Sequence, residues 1–358
     1  MGDVERQVLT GGELTDRERQ VLEAVIRTFV DTAEPAGSRT VARRFDLGVS
    51  PATVRNTMSD LEEKGYLTHP HTSAGRVPTD LAYRFFVDRL MEPFPLTLAE
   101  QQTIHREVGG DGAPSAVERL VRQAAQALSL ISNELGLAIL PRLKDAILEK
   151  VELVQVSTSK VLMVATIKSG VIRTLYVDLP VEVPRDALVQ LTVILNERLA
   201  GQTLSEIRGT LPERLQGARP QDAGARELLN IFVQSGAELF DLKELDSDAL
   251  HLGSASVLAS QPEFESGESL KGLIELTEQR ELLADVVGRR KHRGQLQITI
   301  GGENDPTELS DFTLVTAEYE AGGLQGVLGV IGPTRMPYEK VVAIVDYTSS
   351  VITRVLHP

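Results

Sequence analysis

The residues best suited to recognition chemistry lie between positions 50 and 59. At about 100° per residue, Val54, Met58 and Leu61 fall on one side of a helix and would face a core. The opposite side carries Ala52, Thr53, Arg55, Asn56 and Ser59. Asparagine can bond adenine at two atoms, arginine can bond guanine likewise, and small side chains can touch a thymine methyl group. The pattern therefore predicts a helix that reads the major groove of DNA.

Neighbouring segments offer groups that could hold the DNA backbone. Ser50 followed by Pro51 is typical of a helix start, which presents free N–H groups and a positive dipole end to phosphate. A short preceding helix, predicted to be capped by Ser38 and to run to Phe45, adds further candidates. These phosphate-binding candidates are Ser38, Arg39, Thr40 and Arg43.

A hairpin predicted over residues 69–79 would form a wing beside the reading helix. Its candidate DNA contacts are His71, Thr72, Ser73 and Arg76, and the arginine could enter a minor groove or meet a phosphate. The two histidines of this segment suggest metal binding, but the chain has no cysteine and no carboxylate partner is evident in sequence, so no metal site is predicted. The acidic pair Glu62-Glu63 is interpreted as a solvated helix end.

Short local signals define the elements that would position these groups. A capping box, Thr15 to Glu18, opens a first helix, and Gly65 ends the reading helix after Lys64. Thr79 is predicted to cap a helix that runs to about Leu90. A proline-rich break over residues 92–95 then closes a first domain.

The remainder of the chain predicts mixed α and β structure. Three strands are expected at 151–156, 161–167 and 171–177, followed by amphipathic helices at 184–200 and 224–241. The stretch Gly209–Gly224 between those helices is expected to be loose. A strand at Ser254–Leu258, a helix at Leu270–Val287, strands at 295–301, 312–319 and 324–331, and a closing helix from Tyr338 complete the prediction.

Both predicted helices of the middle block carry apolar stripes, which one three-stranded sheet does not obviously cover. The stripe residues are Leu188, Leu191, Ile194, Leu195 and Leu199 on the first helix, and Leu228, Leu229, Ile231, Phe232 and Leu239 on the second. An uncovered apolar stripe favours association, so this block is predicted to be a dimer interface.

Composition and charge restrict the class of protein. A chain of 358 residues suggests two or three domains, and 42% hydrophobic with 25% charged residues is typical of soluble globular proteins. The net charge is −14, yet residues 36–58 hold four arginines against one aspartate, a local charge of +3. The absence of cysteine excludes disulfides and thiol catalysis and fits the cytoplasm. No secretory signal and no membrane span is expected.

Enzyme motifs are missing from the sequence. The segment Gly323–Gly329 lacks the spacing of a dinucleotide-binding loop, and there is no P-loop, HExxH or GxSxG motif. The sequence therefore predicts a protein that is not an enzyme and that has no cofactor.

Several motifs resemble the heat-inducible transcription repressor family HrcA. The similar segments are 35–40 (PAGSRT), 50–56 (SPATVRN), 70–79 (PHTSAGRVPT), 83–88 (YRFFVD) and 329–338 (GVIGPTRMPY). They span the chain from near its beginning to near its end, and the wing segment is the most specific. Thr57 stands where the family usually has an acidic residue, and Leu81-Ala82 replaces a more polar pair that contains glycine.

The resemblance implies an α+β, multidomain fold with three parts. These are an N-terminal winged helix-turn-helix at 1–92, a GAF-like α+β domain in two segments at 93–145 and 245–358, and an inserted α+β dimerisation domain at 146–244. It also implies a homodimer on double-stranded DNA with an inverted repeat, upstream of heat-shock chaperone operons. The chaperonin GroEL would support the repressor's active form.

Two other functions stay open at this point. A metabolite-responsive regulator would use the GAF-like domain as a sensor, which fold analogy alone suggests. A pure interaction protein would lack DNA binding altogether.

Overall fold

The N-terminal part contains a helix-turn-helix followed by a short hairpin. The computed structural model describes residues 13–70, 75–108, 117–141, 146–158, 160–168, 172–178, 184–218, 223–239, 250–289, 296–305, 307–321 and 323–356. Its first elements are α1 (Asp16–Thr32), α2 (Ser38–Arg44), α3 (Pro51–Glu63), β1 (Leu67–Thr68), β2 (Val77–Pro78) and α4 (Asp80–Phe85), and a π-helical turn follows at Phe86–Leu90. The strands β1 and β2 pair antiparallel, which gives the predicted wing its base.

Local capping determines where these helices begin and end. The capping box of α1 is formed by Thr15 and Glu18 as predicted, and Ser50 caps α3 with Pro51 at its first position. Gly65 follows α3 with φ +82°, a conformation that favours glycine. The prediction for Ser38 is wrong: it is the first residue of α2, and Gly37 occupies the N-cap without a side-chain hydrogen bond.

A five-stranded antiparallel sheet forms the centre of the second part. Its strands are β3 (Leu135–Ile139), β7 (Leu250–Leu252), β8 (Leu296–Ile300), β9 (Phe312–Ala321) and β10 (Leu324–Pro333), in the order β7-β3-β10-β9-β8. Helices α6 (Val117–Ser132) and the last helix (Tyr338–Leu356) pack against the sheet, and α5 (Leu98–Val108) packs against these two helices. A Cβ on Gly136 would lie 2.0 Å from the carbonyl oxygen of Ala125, so α6 contacts β3 directly only because this position has no side chain.

A second sheet is formed by residues that lie, in the sequence, between β3 and β7 of the first sheet. It consists of β4 (Leu148–Ser157), β5 (Lys160–Ile167) and β6 (Ile172–Asp178), and it is followed by α7 (Arg185–Leu199), α8 (Leu204–Leu215) and α9 (Ala223–Leu239). The predicted loose stretch is wrong where α8 occupies it. A capping box from Thr203 to Glu206 begins this helix, and burial of Ile207 and Leu211 offsets the presence of Gly209 and Pro212.

Helix α8, which the sequence did not predict, also corrects the interpretation of the apolar stripes as uncovered. Among the stripe residues, Leu188, Leu191, Leu195, Leu199, Leu228, Leu229 and Phe232 are buried in one hydrophobic cluster, and Ile194 and Ile231 pack against it. The side chain of Leu239 lies outside the described part of the structure. Because α8 adds Leu204, Ile207, Leu211 and Leu215 to the same cluster, the stripes are covered within the chain.

Differences also occur in the segment 250–289. The strand predicted at Ser254–Leu258 is wrong: β7 precedes it, and a short helix, α10 (Ser256–Ala259), takes its place. The single helix expected at Leu270–Val287 is divided into α11 (Gly267–Glu278) and α12 (Arg280–Arg289). The last helix is therefore α13 (Tyr338–Leu356).

Buried apolar side chains form two separate clusters. One extends from Leu14 through the winged-helix part to the five-stranded sheet and ends at Ile352. The other fills the space between the three-stranded sheet and α7–α9, with Leu324 of β10 added to it. The winged helix and the five-stranded sheet thus share one continuous apolar interior. Among the residues described, no helix combines the length and hydropathy needed to span a bilayer.

Candidate nucleic-acid interface

Helix α3 separates an apolar inner side from a polar outer side. Val54, Met58 and Leu61 are at most 3% exposed, whereas Ala52, Arg55 and Asn56 are exposed. Of the remaining outward candidates, Thr53 and Ser59 are half-buried. The predicted helical face is thus present, with its polar side open in the single chain.

The N-terminus of α3 is held by its own side chains. Ser50 Oγ accepts a hydrogen bond from the backbone N–H of Thr53 at 3.2 Å, and the two hydroxyl groups lie 3.1 Å apart. The hydroxyl of Thr57 donates to the carbonyl of Thr53 at 3.2 Å. Thr57 is 6% exposed, so this departure from the family pattern lies on the inner side of the helix.

Arginines without a carboxylate partner surround the outer side of α3. Arg39, Arg43 and Arg55 are exposed, and none of them forms an ion pair with another residue in the described ranges. Arg44, by contrast, is bonded to Asp31. Thr40 is also exposed, and Ser38 is half-buried. This arrangement leaves three exposed arginines on α2 and α3, together with exposed hydroxyl and amide groups, available to an external anion.

The wing is described only at its base. His71, Thr72 and Ser73 lie outside the described residues, so their predicted contacts have no structural counterpart. Arg76 is bridged to Ala36 by two backbone hydrogen bonds of 2.8 and 3.0 Å, which join the wing to the segment that precedes α2. A Cβ on Gly75 would lie 2.5 Å from the carbonyl oxygen of Pro35, so this contact requires glycine.

The side chain of Arg76 is engaged within the protein. Its terminal nitrogen Nη2 lies 2.6 Å from Oε2 of Glu62, and Nδ1 of His69 contacts the other carboxylate oxygen. Burial opposes ionisation of Glu62, but the hydrogen bond from His69 and the positive charge of Arg76 together hold its pKa below the ordinary value. Sequence reasoning missed this cluster because Glu62 was interpreted as a solvated helix end.

A densely paired seam joins the winged helix to the five-stranded sheet. Arg27 donates two hydrogen bonds to the carboxylate of Glu339, at 2.8 and 3.0 Å, although the residues are 312 positions apart. Arg335 bonds Glu263 and also donates to the carbonyl of Val30 at 2.6 Å. Helix α1 and residues 335–339, which are distant in sequence, therefore meet at one interface.

Aromatic contacts and a third arginine complete this seam. The rings of Tyr83 and Tyr338 are 5.6 Å apart between centroids, and Arg84 binds Glu303 and the carbonyl of Ile298. The seam leaves Arg55 and Asn56 of α3 exposed. It therefore fixes the winged helix to the second part of the chain without covering the proposed reading side.

The comparisons with known proteins agree on one group of relatives. The family model described as the HrcA protein C-terminal domain matches residues 118–342. The chain is 37% identical over 354 residues to the "Heat-inducible transcription repressor HrcA" of Chlorobium phaeovibrioides (strain DSM 265 / 1930), with 96% of this chain and 98% of the relative covered. It is 39% identical over 345 residues to the protein of the same name from Chlorobium phaeobacteroides (strain BS1), with 94% and 96% covered.

A solved structure shares the fold. A crystal structure of a hypothetical protein at 2.2 Å resolution superposes with a TM-score of 0.58 at 20% identity. The similarity covers 96% of this chain and 99% of the other.

Proposed function

Since the chain belongs to the HrcA family of heat-inducible transcription repressors, we propose that it acts by placing α3 in the major groove of an inverted-repeat operator. The observation that carries this proposal is the exposed polar side of α3, flanked by arginines that have no carboxylate partner in the described ranges. On a chain with a net charge of −14, such a local cationic surface favours a specific anionic ligand over general attraction to polyanions.

The roles of the individual side chains follow from their chemistry. Arg55 and Asn56 are proposed to bond base edges, while Ala52 and Thr53 contact thymine methyl groups. Ser59 is proposed to lie with them on the groove-facing side. The backbone of the DNA would be held by Ser38, Arg39, Thr40 and Arg43, and by the N-terminus of α3 at Ser50.

DNA recovered with the protein tests this function directly. Immunoprecipitation from heat-stressed and unstressed cells, followed by sequencing, is expected to enrich one inverted repeat upstream of chaperone operons, with less enrichment after heating. An Arg55→Ala, Asn56→Ala double variant serves as the matched control, because both side chains are exposed and their loss leaves the interior intact. Equal enrichment by the wild type and the variant would contradict the proposal.

We propose that the repressor is a homodimer and that the outer face of the three-stranded sheet joins the two copies. The pairing places Val154, Leu162 and Tyr176 in one row across the sheet. Val154 is 50% exposed and Tyr176 is 65% exposed in the single chain. Large apolar side chains that lie together on an exposed surface are unusual in a monomer. A two-fold dimer matches the symmetry of an inverted repeat.

Charge insertion on this sheet face tests the dimer. Val154→Asp is expected to produce monomers in sedimentation experiments, because a face buried against a second copy cannot accept an unpaired carboxylate. Ile274→Asp on α11 is the control, since Ile274 is also 50% exposed but lies outside the sheet. A Val154→Asp protein that remains dimeric would place the interface elsewhere.

We also propose the three-part division of the chain, with residues 146–244 inserted into a GAF-like domain. Strand β3 pairs with β10 in one sheet although the whole middle block separates them in sequence. Contacts between such distant segments slow folding and leave apolar surface exposed in partly folded chains, which chaperonins bind. The proposal therefore includes support of the active form by GroEL.

Refolding measurements test the role of the chaperonin. Denatured protein diluted with GroEL is expected to recover more operator binding than protein diluted without it, and the difference is expected to grow with temperature. Complete and equal recovery in both samples would contradict this part of the proposal.

A metabolite-responsive regulator is the second candidate. It is favoured by one observation, a cleft of about 350 Å³ at the seam, lined by Ile26, Phe45, Phe86 and Met336 among others. A rise in the melting temperature with one metabolite, lost when Phe86 is replaced by a larger tryptophan, would support it.

A further inference from the structure

We propose that Glu62, Arg76 and His69 form a strut that fixes the wing against the reading helix, so that Arg76 supports operator binding by positioning the wing rather than by contacting a phosphate. The inference rests on the proposed function, because it assigns a role to residues within that DNA-binding surface. It concerns a carboxylate at the end of α3 whose own negative charge would repel DNA.

The two oxygens of Glu62 hold both arms of the wing at once. His69 lies directly after β1, on the outgoing arm, and contacts Oε1. Arg76 lies directly before β2, on the returning arm, and its Nη2 is 2.6 Å from Oε2. Glu62 itself belongs to the last turn of α3. One side chain therefore connects the reading helix to each side of the hairpin.

The environment of Arg76 favours a structural contact over a free cation. Its side chain is 23% exposed, and its Nε is buried without a hydrogen-bond partner among the described residues. Its backbone is paired with Ala36 through both of its polar groups. To reach a phosphate, the guanidinium would have to leave Glu62, and the carboxylate would then remain close to the DNA and repel it.

Three anchors thus hold the base of the wing, one to α3 and two to the segment that precedes α2. They are the Glu62 contacts, the backbone bridge from Arg76 to Ala36, and the close approach of Gly75 to Pro35. Misplacing a recognition element by a small distance costs affinity even when none of its own contacts is removed. Loss of the strut is therefore expected to weaken specific binding while the number of neutralised phosphates stays the same.

The test measures binding of the full-length protein to a duplex inverted repeat selected from random DNA by the wild type, and to a random duplex, at several salt concentrations. Glu62→Gln and Arg76→Gln are each expected to lower specific affinity by about fivefold, the upper end of the range for an ion pair near the surface. The double variant is expected to match Glu62→Gln, because that change already removes the contact with Arg76. The slope of log K against log salt is expected to stay unchanged for Arg76→Gln.

Two further variants distinguish the strut from a general effect of charge and from a direct phosphate contact. Glu63→Gln makes the same charge change at the next position, which is exposed and has no ion pair in the described ranges, and it is expected not to lower affinity. His69→Phe removes the contact to Glu62 on the other arm of the wing while Arg76 keeps its charge, so the strut predicts a loss of specific affinity, whereas a phosphate contact made by Arg76 alone would be unaffected. Thermal unfolding of each variant verifies that it is folded.

Three results would overturn the inference. These are a slope reduced by about one unit in Arg76→Gln, the mark of a lost phosphate contact; a Glu62→Gln protein that binds as well as the wild type or better; and losses that add in the double variant. A wild type that shows no preference for any inverted repeat would instead overturn the proposed function, because the strut then has no binding to support.

Discussion

Arginine is placed in contrasting ways in two regions of this molecule, the outer side of α2 and α3 and the seam with the five-stranded sheet. In the first region, Arg39 and Arg55 are exposed and form no ion pair with a carboxylate in the described ranges. In the seam, Arg27, Arg84 and Arg335 are each bonded to a glutamate. The side chain of Arg335 is only 14% exposed.

The contrast indicates which charges hold the protein together and which remain for a ligand. A paired arginine with little exposure cannot be released without leaving an uncompensated carboxylate behind. An exposed, unpaired arginine contributes little to stability and meets an anion at small cost. Changes in the seam should therefore alter unfolding, and changes on the reading side should alter binding.

The largest expected effect concerns Glu134, a carboxyl beside the seam that is 2% exposed. Burial raises its pKa to about 8 from the ordinary value of 4.5, although a hydrogen bond from Gln261 and the charge of Arg335 oppose the shift. The folded protein thus keeps a proton that the unfolded chain loses near pH 4.5. This group's contribution to stability is full below that pH and is lost as the pH rises towards 8.

Urea unfolding between pH 5 and 8 checks this expectation. Relative to the wild type, Glu134→Gln is expected to gain stability with rising pH, by on the order of 3 kcal/mol across the interval. Operator binding at fixed pH is expected to stay the same. Parallel pH curves for the two proteins would show that Glu134 is not protonated in the folded state.

The next effect concerns Arg335 itself. Arg335→Met is expected to lower the free energy of unfolding by about 3 kcal/mol, since it leaves Glu263 and the carbonyl of Val30 without their donor. The control, Arg39→Met, is expected to change it by less than about 0.5 kcal/mol. Equal destabilisation by the two substitutions, measured in urea, would remove the distinction between the regions.

A smaller change in free energy, in DNA binding rather than in unfolding, is expected for Arg55. Arg55→Ala, and equally Asn56→Ala, is expected to weaken specific DNA binding by about 1–3 kcal/mol and to leave random-duplex binding nearly unchanged. The unfolding curve should match that of the wild type. Loss of the same size on both duplexes would mean that these side chains do not read bases.

The smallest effect is expected for Arg39. Arg39→Gln should reduce affinity for both specific and random DNA by less than about 1 kcal/mol and reduce the salt slope by about 0.9. Arg27→Gln in the seam is the matched substitution, and its slope should not change. A slope that responds to Arg27 but not to Arg39 would reverse the assignment of the two regions.

Predictions from local signals succeeded where neighbouring residues alone decide the conformation. Thr15 with Glu18, and Ser50 with Pro51, satisfy the free N–H groups of their own helices, so their effect can be recognised without knowledge of the fold. The apolar spacing that places Val54 on the inner side of α3 is local in the same sense.

Other features were mispredicted because distant residues determine them. Helix α8 contains Gly209 and Pro212, which predicted a loose segment, but burial against the same cluster as α7 and α9 stabilises it. The single local signal was the capping box at Thr203 and Glu206. The short strand and helix near Ser254 likewise depend on pairing of β7 with β3.

Helix α3, its polar side, the wing segment and the resemblance to one repressor family could all be recognised in the amino-acid sequence, since each depends on residues close together in the chain. The pairing of charges, by contrast, follows from the three-dimensional fold. Glu62 and Glu63 are adjacent and identical in type, yet the fold brings both arms of the wing to the first. Arg27 meets Glu339 across 312 positions because the fold brings α1 and the start of α13 together there. Side-chain partners of this kind depend on the packing of whole elements, which no local pattern contains.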